Sequence, residues 1–573
     1  MKRLILLSAL ILAPTVAAPV LARPPAPVAE DRRVANMVAF TRLVGYVRYF
    51  HPSDQAFHED WDRFTVRGMA AVEDAPDAAA LAERLAAIFK AVAPTVQVYR
   101  AGKVPDLPVA LARPKSAVGV SVVSWRHHGL SFGVAVDPKV YESNRERVPL
   151  DDKAPKPADV YRADLGGGVA CAVPTALFAN EEGTLPLGEK PPTGKAVTYA
   201  AIATEWNVLQ HFYPYWDVVN EDWNKDLSMA FREALRARTA TAESESVQRL
   251  LAHSRDGHGY FSSTKEPRAF RLPILWRWVE HQLVVTAVAP EAAATVKVGD
   301  VVTKLSGRAV AEAMALEMDL VDGATPHWRR VRALQELSRG DQNASLALEL
   351  NGKKAVTLKC SLPRAADTLR EDRPARLAEL KPGLWYVDLD RVTDKEFEAA
   401  VPKLALAKGI VFDLRGYPSH IKWDTVFAHL SDQVLKAPIF RSPVYTKPDQ
   451  KAATFEEGGW TIQPRAPRFK AKLAFLGGEA TISQAELWLS IVKGHKLGEV
   501  VGSPTAGSDG NIVFQNLPGG YRVGWTGMVV LNHDRSRQHG IGILPTVPAA
   551  ATVAGIKAGK DEVLEKGLEV VSK

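Results

Sequence analysis

The sequence predicts a multidomain α+β protein that closes with an α/β core, and three observations carry that prediction. Apolar residues recur at helical spacing over 30–93 and again from about Thr198 to Leu251. Residues 95–190 and 270–365 alternate apolar and polar positions in the manner of strands. From Leu384 onward, short apolar runs take turns with helical segments, as strands and helices do in a layered domain. The 573 residues leave room for about three or four domains. A hydrophobic content of 46% and a charged content of 24% are those of ordinary globular chains and exclude a disordered one.

The chain begins with a basic Met1-Lys2-Arg3, an apolar run from Leu4 to Ala13 and a small-residue site at Val20-Leu21-Ala22. This is the pattern of a signal peptide over 1–22, so the mature chain is expected to start near Arg23. The run is too short to span a bilayer and is broken by Pro14. The expectation is therefore an exported, soluble protein, periplasmic or secreted, with no integral membrane segment in the mature chain. The formal charge of +7 is spread along the chain, which argues against a nucleic-acid groove. Cys171 and Cys360 fall in different predicted domains, and whether they pair is open. No Cys/His spacing suggests a metal site, and nothing calls for a cofactor.

Residues 30–93 read as a first helical copy and 198–265 as a second. Phe50-His51-Pro52 is matched by Phe212-Tyr213-Pro214, and Glu59-Asp60-Trp61 by Glu221-Asp222-Trp223, at one shared offset. Two hairpins of the same kind, packed together or duplicating one scaffold, are expected. The β-rich accessory domain over 95–190 should hold strands at Val118–Trp125 and Leu130–Val136, separated by Arg126-His127-His128-Gly129. Adjacent histidines on a strand or turn point apart, so they make a poor metal pair. The role of this stretch is not legible.

Over 270–365, Val284–Val288 and Val301–Leu305 read as strands, the second following a Gly299-Asp300 turn. Asn351-Gly352 supplies the positive φ of a tight hairpin between Leu346–Leu350 and Ala355–Leu358. The core over 371–573 should hold strands at Leu384–Leu389, Gly409–Asp413 and Leu473–Leu476. Its expected helices are Lys395–Leu406, Trp423–Leu430, one from about Gln484, and a terminal one from Asp561.

The chemistry centres on Gly477-Gly478-Glu479-Ala480-Thr481-Ile482-Ser483-Gln484-Ala485-Glu486. Ser483 sits where a buried strand turns into a helix, beside N–H groups that lack intrahelical partners. Two readings fit. Ser483 is an N-cap completed by Glu486 in a capping box, or it is a nucleophile whose oxyanion the helix start stabilises. In the second reading the backbone N–H of Gln484 is one oxyanion donor, and the turn after Arg415, near Gly416 or Ser419, supplies another.

Three motifs in order, Asp256-Gly257-His258, then Val411-Phe412-Asp413-Leu414-Arg415-Gly416-Tyr417-Pro418, then Thr481-Ile482-Ser483-Gln484-Ala485-Glu486, resemble the C-terminal-processing (tail-specific) serine peptidase family. The branch most similar is the tricorn-like and interphotoreceptor-retinoid-binding-like one, and the resemblance covers roughly residues 200–570. It implies a ClpP/crotonase-like core with Ser483 as nucleophile. Many relatives use a Lys whose position here holds Ser508, so the resemblance implies His258 as the base. Val298–Arg308 resembles an element of peptidase-associated PDZ domains, which implies a PDZ-like module over 270–365 able to bind an extended peptide.

The chain departs from the family pattern twice. Pro418-Ser419-His420 stands where relatives carry Pro-Gly-Gly, and Arg537-Gln538-His539-Gly540 lacks an acid to orient the base. Gln538 or Asp256 is then the expected orienting group, with Asp534 a further candidate, and weak activity is expected if neither serves. The expected function is an exported serine endopeptidase acting on polypeptide substrates, in unstructured or C-terminal segments. The alternative is a catalytically inactive peptide-binding protein that keeps the peptidase fold.

Overall fold

The computed structural model describes residues 28–573 except 109–110, 112–119, 132–133, 136–140, 152, 180–194, 265–267 and 365–368. The signal-peptide expectation lies outside the described residues. Two long helices, α1 (Glu30–Phe50) and, after α2 (Trp61–Val72), α3 (Lys195–Phe212), are buried on nearly all faces. Helices α4 (Trp223–Arg236) and α5 (Ala240–Ala252) complete the bundle with strongly one-sided apolar stripes. The sequence repeat has a local cause. Asp60 and Asp222 are both N-caps, at φ −76°, ψ 84° and φ −88°, ψ 84°, and each accepts the N–H three residues on. Phe50 and Phe212, the matched aromatics, stack on each other with centroids 6.0 Å apart.

Strand β1 (Ser121–His128) extends through both histidines instead of ending before them. His127 is wholly buried, with its ring nitrogens at Tyr49 O (2.7 Å) and Ser143 Oγ (2.8 Å). Of the expected strand Leu130–Val136, only Val134–Ala135 is a strand among the described residues. Within 95–190, Gln97–Arg100, Tyr161–Gly166 and Val169–Val173 form a three-stranded sheet of their own, while other strands of the region pair outside it. β1 pairs with Ile439–Tyr445, and Val134–Ala135 pairs with Ile512–Leu517, so this region is sheeted onto the C-terminal half.

After β2 (Tyr260–Ser263) comes an antiparallel sheet in the order β3 (Ile274–Val279), β4 (Gln282–Val288), β5 (Val301–Leu305), β6 (Ser345–Leu350), β7 (Lys354–Lys359). Helix α6 (Pro326–Leu337) packs on it, and Trp276 Nε1 of β3 donates to Leu334 O at 2.9 Å. The hairpin pairs Leu350 with Lys354, and its turn holds Asn351 at φ 54° and Gly352 at φ 70°.

The C-terminal sheet runs β8 (Leu377–Lys381), β9 (Leu384–Asp388), β10 (Gly409–Asp413), β11 (Lys472–Gly477), β12 (Glu499–Gly502), and last, after β13 (Tyr521–Thr526) of another sheet, β14 (Val547–Pro548). Strands β9 to β12 and β14 are parallel. Helix α7 (Gln484–Gly494) covers one face through Leu489 and Ile491, against Phe412 and Phe475. Helix α8 (Glu562–Ser572) covers the other through Leu564, Leu568 and Val571, against Val411 and Leu476. Burial on both faces is why β10 reads as an unbroken apolar run. The helix expected at Trp423–Leu430 is only Trp423–Phe427.

Asp413 closes β10 as a buried carboxylate. Burial alone would raise its pKa, but the Arg415 and Arg373 guanidiniums hold it far below the ordinary range. Arg415 also grips Asp561 at 2.8 Å, tying the turn after β10 to the start of α8.

Candidate active site

Ser483 lies just beyond the C-terminal end of β11, the edge where open parallel sheets place their sites. Its backbone is at φ 58°, ψ −125°. Ordinary N-caps of this chain are extended, such as Thr393 at φ −98°, ψ 159° and Thr325 at φ −125°, ψ 153°. A serine at positive φ costs about 1–3 kcal/mol, so surrounding bonds must enforce it. They do. Ser483 N–H donates to Ser508 O (2.9 Å) and to Glu486 Oε2 (3.3 Å). Just before it, Thr481 Oγ1 donates to Leu414 O at 3.0 Å, and Ala506 N–H donates to Thr481 O at 2.9 Å. The backbone half of a capping box is present, in a backbone that capping alone does not require.

Glu486 is wholly buried and accepts from four donors. Besides Ser483 N–H these are Thr505 Oγ1, Gly507 N–H (2.8 Å) and Ser508 N–H (2.9 Å). Burial pushes its pKa up to about 8 against the pull of those donors. It therefore pins the 505–508 loop over the serine turn, beyond any capping role. Glu486→Gln would aim an amide N–H at converging donors. The expected result is about 2–3 kcal/mol of lost stability, read as a lower thermal midpoint, with activity down by at least about tenfold.

His258 is carried on the turn between α5 and β2. Its flanking glycines are required by close approach. A Cβ on Gly257 would lie 2.2 Å from Ser508 Cβ, and one on Gly259 would lie 1.9 Å from Asp322 Oδ2. His258 Nδ1 is 2.9 Å from Thr526 Oγ1 and 3.3 Å from Ser508 Oγ. Thr526 Oγ1 donates to Asp256 Oδ1 at 2.6 Å, and Thr526 N–H donates to Asp256 Oδ2. With its proton given to the carboxylate, the Thr526 hydroxyl accepts from Nδ1–H. That leaves the lone pair on Nε2, which has no hydrogen-bond partner among the described residues. Asp256 thus orients the ring through Thr526, a residue that no sequence motif marked.

Burial lowers the His258 pKa from its ordinary 6.5; Asp256 opposes that shift and Arg332 adds to it. The ring is neutral at physiological pH and able to accept a proton. The expected kcat/KM profile is therefore full near neutrality and lost only as pH falls through a value below 6.5, which a pH–rate series would show.

The remaining sequence candidates fall into place unevenly. Gln484 Nε2 donates to Pro418 O at 3.3 Å, which draws the Gly416 turn up to the start of α7. The N–H groups of Gly416 and Gln484 have no acceptor among the described residues. Ser419 N–H is already engaged by Tyr417 O at 2.8 Å and makes a poor oxyanion donor. Gln538 is wholly buried beside Asp509 and makes no bond to His258. Asp534 accepts from Ser536 N–H and Oγ in an exposed turn, away from His258. His539 stacks on Tyr215 with centroids 3.8 Å apart, and burial lowers its pKa to about 4.

No hydrogen bond joins Ser483 to His258. The two meet through Ser508, whose carbonyl takes Ser483 N–H and whose hydroxyl touches Nδ1. Elsewhere, ligand atoms of Glu221, Asp226 and His253 gather within 4.8 Å. His253 Nδ1 lies 2.9 Å from Asp226 Oδ1 there, and Arg255 pairs with Glu221 at 2.6 Å. Cys171 and Cys360 are buried and unpaired.

The fold and this geometry define a peptidase-like α/β core. Residues 383–549 match the model of peptidase family S41, a family of serine-type hydrolases. Among solved structures, mature CPAF complexed with lactacystin is similar at 12% identity and a TM-score of 0.52, over 66% of this chain and 98% of that one. Mature CPAF on its own gives 12% and 0.51, over 66% and 97%. At such identity the likeness is one of fold. No sequence among curated proteins matches the chain.

Proposed function

We propose that the chain is an exported serine endopeptidase cleaving unstructured or C-terminal segments of proteins, with Ser483 as nucleophile and His258 as base. The observation that carries this is the enforced positive φ of Ser483, linked through Ser508 to a buried, neutral histidine whose tautomer Thr526 and Asp256 fix. Ser483 Oγ attacks the scissile carbonyl carbon while His258 Nε2 takes its proton. The N–H groups of Gly416 and Gln484 receive the oxyanion. His258 returns the proton to the leaving amine, and water then hydrolyses the acyl-enzyme by the same route. The Ser483–His258 hydrogen bond forms on substrate binding, as catalytic bonds that are long in the free enzyme commonly do.

Substrate delivery has a physical path. Strand β3 is an edge strand of its sheet among the described residues. A cavity of about 760 Å³ runs from that edge and the Arg330–Leu334 face of α6 to Gly416 and Gly477–Ala480, the segment leading into Ser483. An extended peptide adding to β3 as a strand, in the PDZ-like manner, would be handed to the serine turn. Because this groove is complete without Ser483, a peptide-binding protein without turnover is the second reading.

Fluorophosphonate labelling of the mature protein beside Ser483→Ala and His258→Ala separates the two. Labelling of the native protein that is lost in both variants supports the peptidase. A folded native protein that binds peptides and resists labelling supports the binder.

A further inference from the structure

Behind the His258 turn, on the side away from Ser508, lies a second cavity of about 130 Å³. That is about four waters' worth of liquid volume. Its lining gathers four arginines, Arg268, Arg332, Arg339 and Arg364, against the three acids Glu245, Glu336 and Asp322. Arg339 is neutralised by Glu336, and Arg268 approaches Glu317 at 4.0 Å. Arg332 and Arg364 form no ion pair among the described residues. Arg332 uses one of its five N–H donors, Nη1 to Asp322 O at 3.1 Å. Its remaining donors are left to the cavity.

We propose that this cavity is an anion site, in which a phosphate or carboxylate group is held by Arg332 and Arg364 directly beneath the turn that carries the candidate base. The acids nearby do not fill that role. Burial beside Asp256 pushes the Asp322 carboxyl up to about 8, which weakens it as a partner for Arg332 at neutral pH, and Glu336 is held by Arg339. Asp322 instead spends its oxygens on the turn, accepting from Ser254 Oγ (2.8 Å) and Asp256 N–H (2.7 Å). Burial, and then the neighbouring Arg364 charge, depress the hold of Arg332 and Arg339 on their protons, a repulsion that a bound anion would relieve. The charge on Arg332 also depresses the His258 pKa, so an occupied site would raise it and couple anion level to the base.

Calorimetric titration of inorganic phosphate into the full-length Ser483→Ala protein, at constant ionic strength, tests this without any turnover. One saturable site is expected, weakened about tenfold or more in Arg332→Gln and in Arg364→Gln. Arg364 is exposed and its variant carries the test if Arg332→Gln does not fold. Displacement of phosphate by a short peptide with a free C-terminal carboxylate, but not by its amide, would assign the site to chain termini. Failure of both to displace it would assign it to the free ion. Absence of saturable binding, or binding that both variants leave unchanged, would overturn the proposal while saying nothing against Ser483.

Discussion

Ser483→Ala should abolish peptide hydrolysis, with kcat reduced by about 10⁴-fold or more and on the order of 10⁶ if the chemical step limits turnover. The variant should remain folded. The bonds that hold the turn come from backbone N–H, from Thr481 and from Glu486, none of which the substitution removes. Alanine at φ 58° keeps the steric penalty that serine already carries. Thermal midpoints of the two proteins should therefore agree closely while progress curves on an unstructured protein substrate diverge. Equal peptide affinity with lost turnover would place Ser483 in chemistry. Unchanged turnover would remove it, and with it the peptidase reading of this turn.

How much of this was legible follows from where the constraints lie along the chain. The strand-to-helix turn at Ser483 could be read because β11 is buried on both faces and α7 begins at once, so a continuous apolar run meets a helical one. The hairpin at Asn351-Gly352 was legible because only a few residues tolerate the required φ. The capping aspartates and stacked phenylalanines left a repeat that two short matches reveal. Pairing between β1 and Ile439–Tyr445 was not legible, because a strand does not state which distant edge it will join. Thr526 escaped for a related reason. Its hydroxyl matters only because the register of β13 against β2 sets it beside His258, and a threonine near a strand end carries no mark of that. The acid missing before Gly540 has a counterpart in Asp256, two residues from His258 and linked to it through Thr526, a partner far along the chain.

That link sets the second large effect. Asp256→Asn should lower kcat/KM by about 10²–10³-fold, somewhat less than the roughly 10⁴ seen when an acid touches the histidine directly. The carboxylate accepts Thr526 N–H, Thr526 Oγ1 and His258 N–H together. An amide has one accepting oxygen, so its NH₂ must face one of these donors or reverse the Thr526 hydroxyl. Reversal would have Thr526 donate to Nδ1, which moves the ring proton to Nε2 and disables the base. Removing the negative charge also deepens the depression of the His258 pKa, since Asp256 is what opposes burial there. The acid limb of the pH–rate profile should accordingly move to lower pH while the plateau falls. Thr526→Val, which deletes only the hydroxyl, should cost about 10–10²-fold, and Thr526→Ser should restore most of it. A plateau loss in Asp256→Asn with no movement of the acid limb, and no rescue by serine at 526, would mean that Asp256 serves the fold of its turn and does not orient the base.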